Sequence, residues 1–255
     1  MKTHQHCSNQ FTLACLAVLG LVWLTGCTTR SISNSGYRGG GYYGESTYRG
    51  ELSDFDVLGV DRDQTISEAD IGKALDSTAR EKLRKGSSVL LIQSGATFPD
   101  EPMASELNRY INVAPFTGVP TDARRPGDAA AGKTTPANYS KSLRLAAARG
   151  GCENIVCYWG VLESAREGMA SKTLSWVPVV GWAVPDERQH MRIRLKIAIV
   201  DVRTGHWSIF TPEPFEDKSL SGLQSRERSD QRQVEMLKRK AYEAAARDLL
   251  RVYGS

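Results

Sequence analysis

This chain of 255 residues has few cysteines, few histidines and no strong excess of either charge. It holds five cysteines and four histidines, and its 33 basic and 29 acidic residues give a formal net charge of +4. A balance so close to neutral gives no reason to expect a nucleic acid as partner. The motifs G-x-S-x-G and H-E-x-x-H are absent, and no S-x-x-K has a supporting context. We therefore expect no catalytic residues, no metal ion and no cofactor.

The few cysteines are also placed unfavourably for a disulfide or a metal site. They are Cys7, Cys15, Cys27, Cys152 and Cys157. Only the last two lie beyond the N-terminal region, and the five residues of extended chain that separate them span ~16 Å, too far for a disulfide. Zinc would need two more ligands, and His190 and His206 lie in other elements. Two buried thiols are the favoured state, with a disulfide as the alternative.

The N-terminus has the pattern of an export signal. Lys2 is followed by an apolar run at residues 11–24 and then by the tetrapeptide LTGC at residues 24–27. The run is short for a membrane span and is soon followed by polar residues, so we expect residues 1–26 to be removed as a signal peptide. An uncleaved membrane anchor is the alternative.

The tetrapeptide LTGC resembles the bacterial lipobox. In that family the cysteine becomes diacylated, the signal is cut just before it, and the new amino group is acylated. The resemblance implies lipidation at Cys27, and acyl chains anchor stably because each buried methylene contributes about 0.8 kcal/mol. By the sorting rule of such lipoproteins, an aspartate directly after the cysteine would keep the protein from the outer membrane. The residue here is Thr28, so the resemblance implies the periplasmic face of the outer membrane.

A tether and a single domain are expected after the signal. Residues 27–50 are rich in Gly, Ser and Tyr and are interpreted as a lipidated cysteine with a flexible tether. Such segments also stack on single-stranded nucleic acid, but the export signal removes that partner. Residues 51–255 are long enough for one periplasmic domain.

One stretch does match a nucleotide-binding motif. Residues 127–134 satisfy the P-loop pattern G-x-x-x-x-G-K-[ST], which requires a strand before the glycines and a helix beginning at Lys-Thr. Pro120 and Pro126 interrupt that approach, and Pro136 moves Thr135 away from helical geometry. We interpret the match as a coincidence in a loop and expect no nucleotide partner.

Periodicity from residue 54 onward predicts an α/β (α+β) fold, with a mixed, partly antiparallel sheet packed against helices and a long C-terminal helix. Residues 54–60 favour a short opening strand. Ser67 and Asp70 form a capping-box pattern for a helix that ends at Gly86. The inward face of that helix is expected to hold Ile71, Leu75, Ala79 and Leu83. The C-terminal helix, at residues 229–253, is expected to bury Val234, Leu237, Ala241, Ala245, Leu249 and Val252.

Residues 189–202 alternate cleanly between apolar and charged side chains. The charged positions include a basic row formed by Arg192, Arg194 and Lys196. The alternation predicts a strand with one solvated face, paired with residues 206–215 through a turn at Gly205. The basic row is expected to be solvated, with an acidic surface or a glycan polymer as the alternative.

An apolar segment at residues 174–185, here called the arm, lies between two strands that a polar turn could join. It carries Trp176 and Trp182 and is broken by prolines. The prolines exclude a helix or a central strand and leave a hydrophobic loop or a β-arm. The arm is either a lid over the domain's own core or a segment that enters a membrane or a partner.

The order of elements after residue 139 is a helix, a strand, a hydrophobic excursion, a strand ending in VDVRTG at residues 200–205, a return strand and an Ala-rich helix. With the lipobox, this order resembles the periplasmic α/β domain shared by the curli-secretion lipoprotein CsgG, the penicillin-binding-protein activator LpoB and the N-terminal domain of TolB. The resemblance implies a non-catalytic protein that binds or assembles with other envelope components.

The expected function is a lipid-anchored periplasmic interaction or assembly module whose partner is an envelope protein or a second copy of the chain. Its candidate contact residues are Trp176, Trp182, Arg192, Arg194 and Lys196. A periplasmic hydrolase with an unrecognised active site is the alternative, and a deep polar pocket around His190, His206 or Cys157 would favour it.

Overall fold

The computed structural model describes residues 30–34, 50–59, 65–76, 82–120, 139–166, 175–178, 189–219 and 226–255. These residues form a mixed α/β fold, which confirms the predicted fold class. The strands are β1 (Arg30–Ser31), β2 (Ser88–Gln93), β3 (Asn112–Phe116), β4 (Asn154–Arg166), β5 (Ser175–Pro178), β6 (Gln189–Asp201), β7 (Trp207–Phe210) and β8 (Phe215–Ser219). The α-helices are α1 (Asp54–Leu58), α2 (Glu68–Asp76), α3 (Glu101–Leu107), α4 (Tyr139–Arg149) and α5 (Arg226–Tyr253).

All eight strands belong to one mixed sheet, whose main order is β3-β2-β4-β6-β7. The pairs of β2 with β3 and with β4 are parallel, and those of β6 with β4 and with β7 are antiparallel. Short strands complete the sheet, because β1 and β5 pair with β4 while β8 pairs with β6. The long strands β4 and β6 therefore lie at its centre.

Helices cover both faces of this sheet. The chain leaves β2 toward β3 on one side and returns to β4 on the other, so right-handed crossovers place α3 and α4 on opposite faces. Accordingly, α3 and α5 bury apolar side chains in one core, which includes Leu107 and Leu237. The helices α1 and α4 bury theirs in a second core, which includes Val57 and Leu143. Strand β2 is buried on both faces, as its continuous apolar run predicts.

The prediction of an opening strand at residues 54–60 is wrong, because Asp54–Leu58 forms helix α1. Ser53 caps this helix: its Oγ accepts a hydrogen bond from the backbone N of Asp56 at 3.2 Å, and the Asp56 carboxylate accepts one from the backbone N of Ser53 at 2.8 Å. This capping box satisfies two backbone donors, and the short apolar pattern that suggested a strand does not outweigh it.

Helix α2 begins where the capping box predicts, with the backbone N of Ser67 donating to Asp70 Oδ2 at 3.0 Å. The predicted burial of Ile71 and Leu75 is wrong, because no residue of α2 is buried and Leu75 is 73% exposed. Ala79 lies outside the described residues. Leu83 is buried, but it lies in a bridge to Gly254 and not in a helix. The described residues contain no helix long and apolar enough to cross a membrane.

Helix α5 has the predicted buried stripe with one exception. Val234, Leu237, Ala241, Ala245 and Leu249 are buried, whereas Val252 is 56% exposed. Tyr242 and Ala246 are buried beside them, so the contact face is displaced toward these positions near the helix end. The small side chains of Ala241, Ala245 and Ala246 leave room for close packing in this part of α5.

Residues 30–34, which fall within the predicted tether, are docked on the sheet. Strand β1 pairs antiparallel with β4, with Arg30 opposite Leu162 and Ser31 opposite Val161. Ile32 is only 1% exposed and belongs to the core that contains α5. It fits there because β4 has a glycine at position 160: a Cβ on Gly160 would lie 2.7 Å from the Ile32 Cδ1.

Gly118 provides a test of how closely the loops at the end of β2 approach one another. A Cβ at this position would lie 1.9 Å from the Gln93 backbone oxygen, so we expect Gly118→Ala to lower the free energy of unfolding by about 3 kcal/mol. Gly72→Ala is the control, since nothing lies within 4 Å of its Cβ and alanine should stabilise a helix interior by about 0.5–1 kcal/mol. Urea denaturation measures both, and equal changes would contradict the close approach.

Candidate functional site

A cluster of polar side chains, here called the Asp100 cluster, lies where β2 ends and α5 crosses the sheet. Tyr158 donates its hydroxyl proton to Gln93 Oε1 at 2.5 Å, and the backbone N of Asp100 donates to the same oxygen at 2.7 Å. The Asp100 carboxylate in turn accepts from the Tyr242 hydroxyl at 2.6 Å and from Lys238 Nζ at 3.1 Å. The cluster therefore joins the central strands, the loop after β2 and helix α5.

Both phenols of this cluster are fixed as hydrogen-bond donors. Burial raises the pKa of Tyr158 and of Tyr242 well above the ordinary value for tyrosine, and the nearby Asp100 charge raises both further. Each phenol therefore keeps its proton at neutral pH. Their rings meet edge to face, with centroids 5.7 Å apart, which is a favourable aromatic contact. This geometry suits a structural connection better than proton transfer.

The basic row lies on the opposite face of the sheet, and each of its members contacts an acid of the same chain. Arg192 Nε and Arg194 Nη2 contact the two oxygens of Glu163 at 2.6 and 2.7 Å. Lys196 Nζ lies 2.6 Å from Asp54 Oδ1 and 4.8 Å from the Trp159 ring centroid. The alternation predicted for β6 is confirmed, and the basic row is partly solvated, with Arg194 52% exposed, while each of its members also contacts an acid.

The N-terminal segment reaches the same face beside the basic row. Trp159 Nε1 donates to the Leu52 backbone oxygen at 2.7 Å, and the Ser31 hydroxyl donates to the Glu51 carboxylate. Burial raises the pKa of Glu51, although the Ser31 hydrogen bond and Lys196 lower it in part. The charges of this face therefore hold the segment before α1 against β4 and β6.

The cysteines beyond the N-terminal region are two buried free thiols, as predicted. Burial raises the pKa of Cys152 and raises that of Cys157 well above the usual range. A protonated thiol is a weak nucleophile and a poor metal ligand. Burial likewise raises the pKa of the neighbouring Tyr139 to about 12, so no deprotonated nucleophile arises here at neutral pH.

The structure places the two sequence-predicted histidines far apart along the chain of the central hairpin. His190 lies in β6 and His206 in the turn before β7, at opposite ends of the β6 strand. In the described ranges, no group of three or more His, Cys, Asp and Glu side chains could hold a metal ion. A cavity of about 450 Å³ opens elsewhere, between α5 and the residues before β2, with an apolar floor that includes Leu83 and Leu250 and a rim that includes Lys85 and Arg247.

The remaining sequence-predicted sites are only partly described. Trp176 lies in β5, which pairs with β4 in the register Ala165 to Trp176, so this part of the arm is a β-strand. Cys27, Trp182 and the P-loop match at residues 127–134 lie outside the described residues.

Sequence reasoning missed an exposed apolar pair on β7, here called the β7 patch. Trp207 and Ile209 are 44% and 40% exposed, and they pair with Val200 and Ala198 on the face covered elsewhere by α4. Strand β7 ends the main strand order, and no other described strand pairs with its outer edge. The spacing of Trp207 and Ile209 in a polar hairpin was the available signal.

The turn that presents the β7 patch is held by several hydrogen bonds. Asp201 Oδ1 accepts from the Thr204 backbone N at 2.6 Å and from its hydroxyl at 2.8 Å. Arg144 of α4 donates to the backbone oxygens of Val202 and Arg203 at 2.9 and 2.7 Å. The predicted β6–β7 hairpin is therefore confirmed, and its position relative to α4 is fixed.

Tyr242 tests whether the Asp100 cluster contributes to stability. Tyr242→Phe removes a hydrogen bond to a charged group, which should lower the free energy of unfolding by roughly 1–3 kcal/mol. Tyr110→Phe is the matched control, because Tyr110 is 47% exposed and should change the free energy by less than about 0.5 kcal/mol. Equal urea midpoints for Tyr242→Phe and the unchanged protein would show that the cluster contributes nothing to stability.

Comparison with known protein families assigns the chain to one of them. The chain belongs to the YafT bacterial lipoprotein family, whose model matches residues 53–252. No curated protein matches the chain. Membership supports a lipoprotein of the bacterial envelope, anchored to a membrane. It does not confirm the resemblance to the CsgG, LpoB and TolB group, which stays a prediction.

Proposed function

We propose that this lipoprotein is a non-catalytic interaction module, held by acyl chains on Cys27 at the periplasmic face of the outer membrane. Family membership supports the lipoprotein part of this proposal. The export signal and Thr28 support the outer membrane as its location, as the lipobox resemblance implies. The partner is an envelope protein, with a second copy of the chain as the other outcome of a binding experiment.

The observation that carries the binding role is the β7 patch. An open edge strand offers unpaired backbone groups to an added strand, and proteins usually protect such edges with charges or covering loops. On β7 the strand carries Trp207 and Ile209, both substantially exposed, and no other described strand pairs with its outer edge. An extended segment of a partner would add to the sheet through its backbone and cover the tryptophan and isoleucine with its own apolar side chains.

Rigidity makes this edge suitable for binding. Arg144 and Asp201 fix the turn before β7, and the strand itself pairs with β6 from Ile197 to Val200. A surface that is already ordered loses little conformational entropy when a partner binds. The β7 patch therefore meets the requirements of a docking edge without any rearrangement of the domain.

The basic row is a weaker candidate for the same role. An acidic partner would have to replace Glu163 at Arg192 and Arg194 and Asp54 at Lys196, since each cation already contacts an acid. These existing contacts would compete with the partner, and new ion pairs on so exposed a row would add little binding energy. The arm residues Trp176 and Trp182 remain proposed contact residues.

Absence of catalysis is part of the proposal. The two thiols beyond the N-terminal region are buried with raised pKa values, and the tyrosines of the Asp100 cluster are committed to structural hydrogen bonds. We further propose that the P-loop match at residues 127–134 binds no nucleotide, because prolines flank it and the export signal leads away from the nucleotide pool.

Lipidation is tested by Cys27→Ala. We expect the variant to accumulate as an unprocessed precursor that incorporates no labelled palmitate, because no other residue at the predicted cleavage site can form a thioether. Radiolabelling followed by gel electrophoresis measures both properties, with Cys152→Ala as the control that should be labelled and processed normally. Normal palmitate incorporation in Cys27→Ala would overturn this part of the proposal.

Binding through β7 is tested by the double variant Trp207→Thr/Ile209→Thr. Threonine keeps the strand propensity but removes the apolar contact, so we expect the recovery of cross-linked partner from detergent-solubilised envelope to fall at least about tenfold, the effect of losing about 1.4 kcal/mol. The thermal midpoint should change little, because both side chains are already partly exposed.

Leu75→Thr is the matched control for that experiment. Leu75 is a large apolar residue that is 73% exposed on α2, so its replacement removes a similar exposed surface away from β7. Equal partner recovery for the double variant and the control would contradict binding at the β7 patch.

A further inference from the structure

The distance between the proposed lipid and the domain is set by β1. This strand begins at Arg30, three residues after Cys27. Three residues of fully extended chain reach at most about 10–11 Å. A free tether of the 23 residues first expected could instead extend to roughly 75 Å, so docking of β1 changes the position of the domain relative to the membrane.

Docking of β1 rests on burial and on several hydrogen bonds. Ile32 is buried against Gly160 and Leu195 in the core that contains α5. The hydroxyl of Ser33 donates to the Ser94 backbone oxygen at 2.5 Å, and Gln93 Nε2 donates to the Ser33 hydroxyl at 3.0 Å. Fully burying one isoleucine is worth about 1.5–3 kcal/mol, so β1 is an integral strand of the sheet.

Both ends of the Gly- and Tyr-rich segment at residues 35–49 are held at the same place. Ser94 accepts the Ser33 hydroxyl on its backbone oxygen, and its own hydroxyl accepts the Leu52 backbone N at 2.8 Å. Ser31 also donates to Glu51 across the base of the segment. Because residues 35–49 follow β1 in the sequence, they add no length between Cys27 and the domain.

The position of Arg30 on the sheet is fixed by the register of two strands on β4. Arg30 lies opposite Leu162, and the next position on β4, Glu163, is taken by Pro178 of β5. Arg30, three residues after Cys27 in the sequence, therefore lies where β1 meets β5. Strand β5 is the described part of the apolar arm.

We propose that the end of the sheet where β1 meets β5 is the membrane-facing surface of this protein, lying about 10 Å from the lipid leaflet that holds the acyl chains. The inference rests on the proposed lipidation of Cys27. Strand β5 joins the sheet at this same end.

The same geometry directs the β7 patch away from the membrane. From Leu162, beside β1, to Asn154, at the other end of β4, the strand runs eight residues or about 26 Å. Asn154 pairs with Asp201, which begins the turn into β7. The membrane-facing and partner-binding surfaces therefore lie at opposite ends of the sheet, and one lipoprotein can engage both at once.

The orientation is tested with two single cysteines that carry a donor dye. Glu216→Cys places the dye near the proposed membrane-facing end, because Glu216 pairs with Arg192 on β6, whereas Arg203→Cys places it in the distal turn. The native thiols are buried and should not react. Acylated full-length protein is reconstituted in phosphatidylethanolamine and phosphatidylglycerol vesicles with an acceptor dye on the headgroups, and energy transfer should be several-fold stronger from residue 216.

A linker variant is the control. Insertion of ~20 Gly/Ser residues between Thr29 and Arg30 leaves β1 intact and adds roughly 25 Å of coil, so the difference between the two dyes should disappear while the thermal midpoint is unchanged. Equal transfer from both dyes without the linker, or a difference that persists with it, would overturn the orientation alone. Protein that fails to float with vesicles would overturn lipidation and, with it, this inference.

Discussion

The antiparallel pairing of β4 with β6 is the constraint on which the rest of the structure depends. The two strands pair over thirteen residues, and each of the short strands β1, β5, β7 and β8 pairs with one of them. Their side chains contribute to both cores, with Ile193 on one face and Ala198 on the other. A change that shifted this register by one residue would exchange the faces and remove both cores together.

The central position of β6 also explains why its charged side chains contact acidic residues. Arg192 is only 19% exposed, so a nearby acid must offset the water that it loses, whereas Arg194 and Lys196 keep 52% and 37% of their side chains exposed. Glu163 on β4 and Asp54 on α1 supply those acids, and the latter contact also fixes the first helix. The basic row therefore stabilises contacts within the fold. The exposed apolar side chains of the β7 patch lie at the edge of the sheet.

Position along the sheet separates the two proposed surfaces. Docking of β1 holds the expected lipid near one end of β4, and the hairpin between β6 and β7 lies at the other end. Between these ends, the Asp100 cluster ties helix α5 to the central strands. Because the sheet is ordered between its two ends, its own length would set the distance from the membrane at which the β7 patch meets a partner.

The sequence by itself determined the elements whose signals are local: the capped start of α2, the alternation of β6 and most of the buried stripe of α5. It did not determine α1, whose Ser53 cap outweighed a weak strand pattern, or the solvation of α2. Only the tertiary structure decided that Arg192 meets Glu163 and that Ile32 fits against Gly160. Both contacts join segments distant in sequence, and local periodicity carries no information about which distant side chain will cover a given face.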